Sequence, residues 1–63
     1  MKRKELIRYI EHHGCALARE GAKHSRYINL YESDKSATIP RHNEIANLFA
    51  IEICRQLGIP DIR

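Results

Sequence analysis

The sequence predicts an α+β fold of order α-β-β-β-α, in which a three-stranded antiparallel sheet carries both helices on one face. Three observations point there. Apolar residues recur at helical spacing near both ends, the middle of the chain changes to a period of two, and Gly14, Gly21, Pro40 and Gly58 fall where these stretches meet.

Arg3 to His13 read as the first helix. Leu6, Ile7 and Ile10 form one apolar stripe, with Glu5, Arg8 and Glu11 on the other side. Gly14 suits the left-handed position just past a helix end. His12 and His13 occupy the last turn, where a cation complements the negative end of the helix dipole, and that structural role is our reading of both.

From Cys15 the period is two, with Cys15, Leu17 and Arg19 alternating with Ala16, Ala18 and Glu20. After a turn at Gly21, His24 to Tyr31 form the second strand. Arg26, Ile28 and Leu30 share one face, and Ser25, Tyr27, Asn29 and Tyr31 the other. Ile28 and Leu30 mark the first of these as the core side, which places His24 there too, at the outer end of the strand. Glu32 to Ser36 make a polar turn, and Ala37 to Ile39 a short third strand. Pro40 lacks a backbone donor, so it either ends that strand or lies on the sheet edge.

Glu44 to Leu57 read as the second helix, with Asn43 as N-cap and Glu44 complementing the positive end of the dipole. Ile45, Leu48, Phe49, Ile53 and Leu57 recur at helical spacing, and Ala46, Ala50 and Cys54 broaden the face. Gly58 ends the helix and Pro60 prevents its resumption; the tail to Arg63 is left unassigned. The two helices cover one face of the meander, so function belongs on the open face or at the sheet edges.

Size and charge bound the activity. Sixty-three residues form one domain (1–63) with one small core and no deep cleft, so a substrate lies across the surface and is a polymer. A formal net charge of +3 favours an anionic one. No apolar run approaches the ~20 residues that span a bilayer. The basic start Met1 to Lys4 gives way to Glu5 and Arg8 before any signal-peptide core forms, so the chain reads as cytoplasmic, with no membrane partner. Cys15 and Cys54 lack a C-x-x-C spacing and read as small buried hydrophobes. Together with His12 and His13 they match no zinc pattern, so neither metal nor other cofactor is expected. No glycine-rich phosphate loop, paired-carboxylate site or serine triad is present.

What stands out is Gly21-Ala22-Lys23-His24-Ser25 followed by Thr38-Ile39-Pro40-Arg41-His42. Each segment sets an imidazole beside a permanent cation. That is the minimum equipment for gripping a phosphodiester and moving a proton near it. Histidine populates both protonation states near neutrality, and one placed acid or base contributes ~10² to 10⁴ in rate. His24 is therefore the candidate general base or acid, with Lys23, Arg26 and Arg41 as phosphate contacts. His42 is a further RNA contact and the nearest candidate for a second proton-transfer group. Other roles compete: a half-buried His24 satisfied by backbone bonds, and His42 as a turn residue leading into the second helix. Tyr27 and Tyr31 read either as half-buried strand tyrosines or as platforms for base stacking.

These segments, with Ile53-Cys54-Arg55-Gln56-Leu57-Gly58-Ile59 and the opening Leu6-Ile7 stretch ending at Gly14, resemble the HicA toxin family of bacterial type II toxin–antitoxin systems over almost the whole chain. Thr38 to His42 is the most specific part. The resemblance implies a double-stranded-RNA-binding-domain-like fold, a metal-independent endoribonuclease that cleaves mRNA, and neutralisation by a HicB-type antitoxin. It implies no cofactor and no binding of DNA by this chain on its own. The family's catalytic histidine, at the start of the second strand, falls on His24. The common pattern there is Gly-Ser-His, whereas here Ala22 and Lys23 separate Gly21 from His24, in the manner of a Gly-x-Lys-His-Ser branch. A non-catalytic RNA-binding module of the same fold is the alternative, and a protein-docking role for the open face or a sheet edge is compatible with either.

Overall fold

The computed structural model describes residues 1–62, Arg63 lying outside them. Helix α1 spans Arg3–His12, strands β1, β2 and β3 span Cys15–Glu20, His24–Asn29 and Ser36–Pro40, and helix α2 spans Asn47–Leu57. The strands pair antiparallel in the order β1-β2-β3, so β2 is central and both neighbours are edges. Leu6 and Ile10 of α1 and Ala50, Ile53, Cys54 and Leu57 of α2 form one core with Cys15, Tyr27, Ala37 and Ile39 of the sheet. Both helices thus cover the same sheet face, as the sequence predicts. Each fully buried Leu or Ile contributes about 1.5–3 kcal/mol of transfer free energy.

Helix α1 forms as the pattern requires. Glu5 Oε1 accepts the Lys2 backbone N–H at 3.2 Å and so satisfies a donor that the first turn leaves open. At the other end Gly14 takes a φ of +87°, a left-handed value that favours glycine. The exposed Tyr31 ring lies so close that a Cβ on Gly14 would come within 2.3 Å of it. His13, at the end of the helix, packs its ring 4.5 Å from that of Tyr9.

Helix α2 begins three residues later than the sequence pattern suggests, with Ala46 rather than Asn43 at its N-cap. The reason lies in the segment before it. Lys2 and Glu44 form an isolated antiparallel bridge, in which Arg3 N donates to Asn43 O and Ile45 N to Met1 O, both at 2.8 Å. Backbone committed to that ribbon cannot also begin a helix. Ile45 still reaches the core, but from the ribbon. The helical spacing from Ile45 to Leu48 and Phe49 therefore has no geometric meaning, and those two are 81% and 42% exposed. At its end, Gly58 is left-handed and the buried Asn29 donates Nδ2–H to the Leu57 carbonyl at 2.8 Å.

The sheet departs from the expected alternation twice. On β2 the core-facing residues are Ser25, Tyr27 and Asn29, while His24 and Arg26 are exposed and Ile28 is half-buried. His24 is thus not on the core side. Partners explain the inversion: Asn29 Oδ1 accepts from Tyr31 N at 2.9 Å besides the amide bond to α2, and Ser25 is bonded on both sides. Buried polar side chains with satisfied bonds cost little, so hydropathy alternation alone misassigns the face. On β1, Leu17 pairs with Tyr27 but Arg19 pairs with Arg26, leaving Ala18 as an extra residue in a β-bulge. Arg19 therefore shares the open face with Arg26 instead of following Cys15 and Leu17.

Strand β3 runs one residue further at each end than Ala37 to Ile39. Pro40 is both its last residue and on an edge strand, so the two readings of it coincide.

Candidate functional site

The open sheet face carries His24, Arg26 and Ile28 from β2, with Ala16 and Arg19 opposite on β1 and Ser36, Thr38 and Pro40 opposite on β3. His24 stands at one end of this face, paired with Pro40. It follows the turn Gly21 to Lys23, which Gly21 N closes by donating to His24 O at 2.8 Å. His24 and Lys23 are exposed, and no side-chain hydrogen bond engages either among the described residues. The reading of His24 as a half-buried, backbone-satisfied histidine therefore does not hold.

Beneath this end a polar network joins four elements. Arg3, at the start of α1, donates Nε–H to Pro40 O at 2.8 Å and Nη2–H to Ser25 Oγ at 2.9 Å. Ser25, the residue after His24, donates its hydroxyl to Glu20 Oε1 at 2.5 Å. The same Glu20 oxygen pairs with Arg41 Nη2 at 2.9 Å, and Arg41 also donates to Gly21 O at 2.8 Å. The His24 turn is thus tied to both flanking strand ends and to α1.

The predicted residues fall into three situations. His24, Lys23 and Arg26 are brought together on and beside the open face, where Arg26 donates to Ser36 Oγ at 2.8 Å. Arg41 sits at the edge of the turn with Nη2 engaged by Glu20 and Gly21, its remaining guanidinium donors turned to neither. His42 is exposed in the segment between β3 and α2, and among the described residues no side-chain hydrogen bond joins it to His24. Of the two tyrosines, Tyr27 is buried in the core and Tyr31 is exposed beside Gly14. Nothing in the sequence marks Arg3, Glu20 and Ser25 as partners beneath His24, and the alternation groups Arg19 with Cys15 and Leu17, whereas the pairing sets it opposite Arg26. Ala18, an ordinary strand residue, gives no signal of the bulge that moves Arg19.

Other chemistry finds less support in the geometry. Cys15 and Cys54 are buried free thiols. Burial pushes both thiols up from their ordinary range, and for Cys15 the neighbouring Cys54 adds to the shift. No three His, Cys, Asp or Glu side chains converge as metal ligands among the described residues. A concavity lined by Met1, Tyr9, His12, Ile51 and Ile62 opens between the helices, and it contains none of the predicted site residues. A polymer lying over the open face has no need of it. No helix among the described residues is long and apolar enough to cross a membrane.

The fold and the site define a class: a small α+β protein of the double-stranded-RNA-binding-domain type, whose uncovered sheet face is basic and ends in a free imidazole. The family is more particular. Residues 3–59 match the family model described as HicA toxin of bacterial toxin–antitoxin, and the chain belongs to that family of toxins. No curated protein and no solved structure matches the chain.

Proposed function

We propose that this chain acts as a metal-independent endoribonuclease, the toxin of a toxin–antitoxin pair, cleaving mRNA with His24 as general base or acid. The observation that carries this reading is the exposed His24 at the end of the open sheet face, between Lys23 and Arg26 in sequence and hydrogen-bonded to no other side chain among the described residues. An unengaged imidazole is free to exchange a proton with a bound 2′-hydroxyl or 5′-oxygen. Lys23 and Arg26 hold the phosphate and offset the charge that develops on it. Arg41 contributes through its remaining donors while its Nη2 holds the turn. His42 is the second RNA contact and the nearest candidate to complete the proton transfer.

A HicB-type antitoxin neutralises such a toxin by covering the open face and its basic rim. The partners are then mRNA and that antitoxin, with neither a membrane nor DNA as a target of this chain alone. The reading assigns the proton transfer to His24 and calls on no cofactor, and the cytoplasm is where its substrate is found.

The test is cleavage of purified mRNA by wild type and by His24→Ala, each shown to be folded by circular dichroism, with and without EDTA. EDTA-resistant cleavage lost in His24→Ala is the expected result. Equal cleavage by both proteins overturns the assignment. RNA binding without cleavage by either favours the non-catalytic module.

A further inference from the structure

The bulge at Ala18 decides which charges face the site. In an unbroken ladder continuing from the Leu17–Tyr27 pair, Ala18 would oppose Arg26, Arg19 would oppose Ser25 on the core face, and Glu20 would oppose His24 on the open face. The extra residue shifts the pairing so that Arg19 opposes Arg26 and Glu20 opposes Ser25. Glu20 is thereby removed from the face of His24 and bonded to Ser25 and Arg41 instead. Arg19 arrives on the open face, exposed, directly across from a second arginine.

Like charges placed opposite each other across a ladder are destabilising. Arg26 turns to β3 and donates to Ser36, whereas Arg19 has no hydrogen bond or ion pair among the described residues. An anion seated between the two guanidiniums relieves this opposition, and the anion that spans a strip of exposed sheet is a polymer phosphate. We infer that Arg19 is a phosphate-binding residue of the RNA interface, delivered to the open face by the Ala18 bulge and acting beside Arg26. The ligand follows from the RNA-cleaving reading above; the local charge arrangement stands without it.

The experiment measures binding of a short single-stranded 2′-O-methyl RNA, which lacks the hydroxyl needed for cleavage, by fluorescence anisotropy over a range of salt. Wild type is compared with Arg19→Gln, Arg19→Lys and Arg55→Gln, the last removing one charge from the solvent side of α2, where Arg55 lies 4.0 Å from Asp61. Arg19→Gln is expected to bind severalfold more weakly, with its log K against log salt slope reduced by about 0.7. Arg19→Lys should keep the slope, and Arg55→Gln should keep both slope and affinity. The melting temperature of Arg19→Gln should equal or exceed that of wild type, because the like-charge opposition is gone. An unchanged slope and affinity in Arg19→Gln overturns the inference, as does an equal loss in Arg55→Gln or a wild type that binds no RNA. Cleavage of mRNA with Arg19-independent binding leaves the His24 reading standing and removes only this one. Arg19-dependent binding by a chain that cleaves nothing does the reverse.

Discussion

Arg3 donates Nη2–H to the Ser25 hydroxyl at 2.9 Å, joining the first turn of α1 to the residue that follows His24 in the central strand. Ser25 is only 1% exposed, so its hydroxyl has no water to fall back on. Its O–H also donates a hydrogen bond to Glu20, whose other partner is Arg41. One small hydroxyl therefore mediates between a cation and a carboxylate in a part-buried setting. Charged partners make such bonds stronger than neutral ones.

Ser25→Ala removes that hydroxyl and leaves Arg3 Nη2 and Glu20 Oε1 facing an apolar methyl. The expected cost is about 1–3 kcal/mol. Glu20→Gln keeps an acceptor for Ser25 and loses only the ion pair with Arg41. Both members of that pair are about half exposed, so the loss should be at most about 1 kcal/mol after solvent screening. Urea unfolding of the two variants decides the matter. Equal destabilisation would mean that the ion pair, and not the hydroxyl, holds the turn.

The same residues show how far the sequence is legible. Helix α1, the order of elements and the glycine boundaries follow from periodicity and backbone preference, which act locally and leave a direct mark. His24, Lys23 and Arg26 stand out as candidates because the chemistry of an imidazole beside cations is written in the residue types themselves, whatever the fold. The orientation of β2 is different, because Ser25 and Asn29 face the core with partners that include Arg3 and Leu57, far away in sequence. Non-local bonds leave no periodicity behind them. The Lys2–Glu44 bridge has that cause, a pairing between distant segments that shifts a helix start. The Ala18 bulge is a register choice within one hairpin, and it shifts a face without any mark in the residue types.

Burial raises the thiol pKa of Cys15 and of Cys54 in the folded chain. The sign of the stability effect follows. Below the unfolded thiol value of about 8.5 both states are protonated and pH has no leverage through these groups. As pH rises past it, the unfolded thiols ionise while the folded ones hold their protons, so the unfolded state binds fewer protons and stability falls. Burial also raises the Tyr27 phenol, with Glu11 adding to the shift, and this extends the same trend to higher pH. Unfolding free energy should therefore be lower at pH 9.5 than at pH 7.5. A thiol reagent at pH 8 should label native protein slowly and both cysteines promptly in urea. Prompt labelling of the native chain would show that the thiols are not enclosed.

The start of α2 supplies the sharpest contrast between sequence pattern and structure. If Asn43 capped a helix whose apolar face included Leu48, then Asn43→Ala would lose about 1 kcal/mol and Leu48→Ala about 2–5 kcal/mol. In the observed arrangement Asn43 lies in a ribbon with Arg3, bonded through its backbone carbonyl, which alanine also has. Leu48 is 81% exposed, whereas Ile53 is wholly buried. Asn43→Ala and Leu48→Ala should each therefore fall within about 0.5 kcal/mol of wild type. Ile53→Ala opens a cavity between α2 and the sheet and should cost about 2–5 kcal/mol. Chemical denaturation of the three variants gives these values directly. A large loss in Leu48→Ala would return the start of the helix to Glu44 and break the bridge between Lys2 and Glu44 as an explanation, whereas a loss confined to Ile53→Ala fixes the face that α2 presents to the sheet.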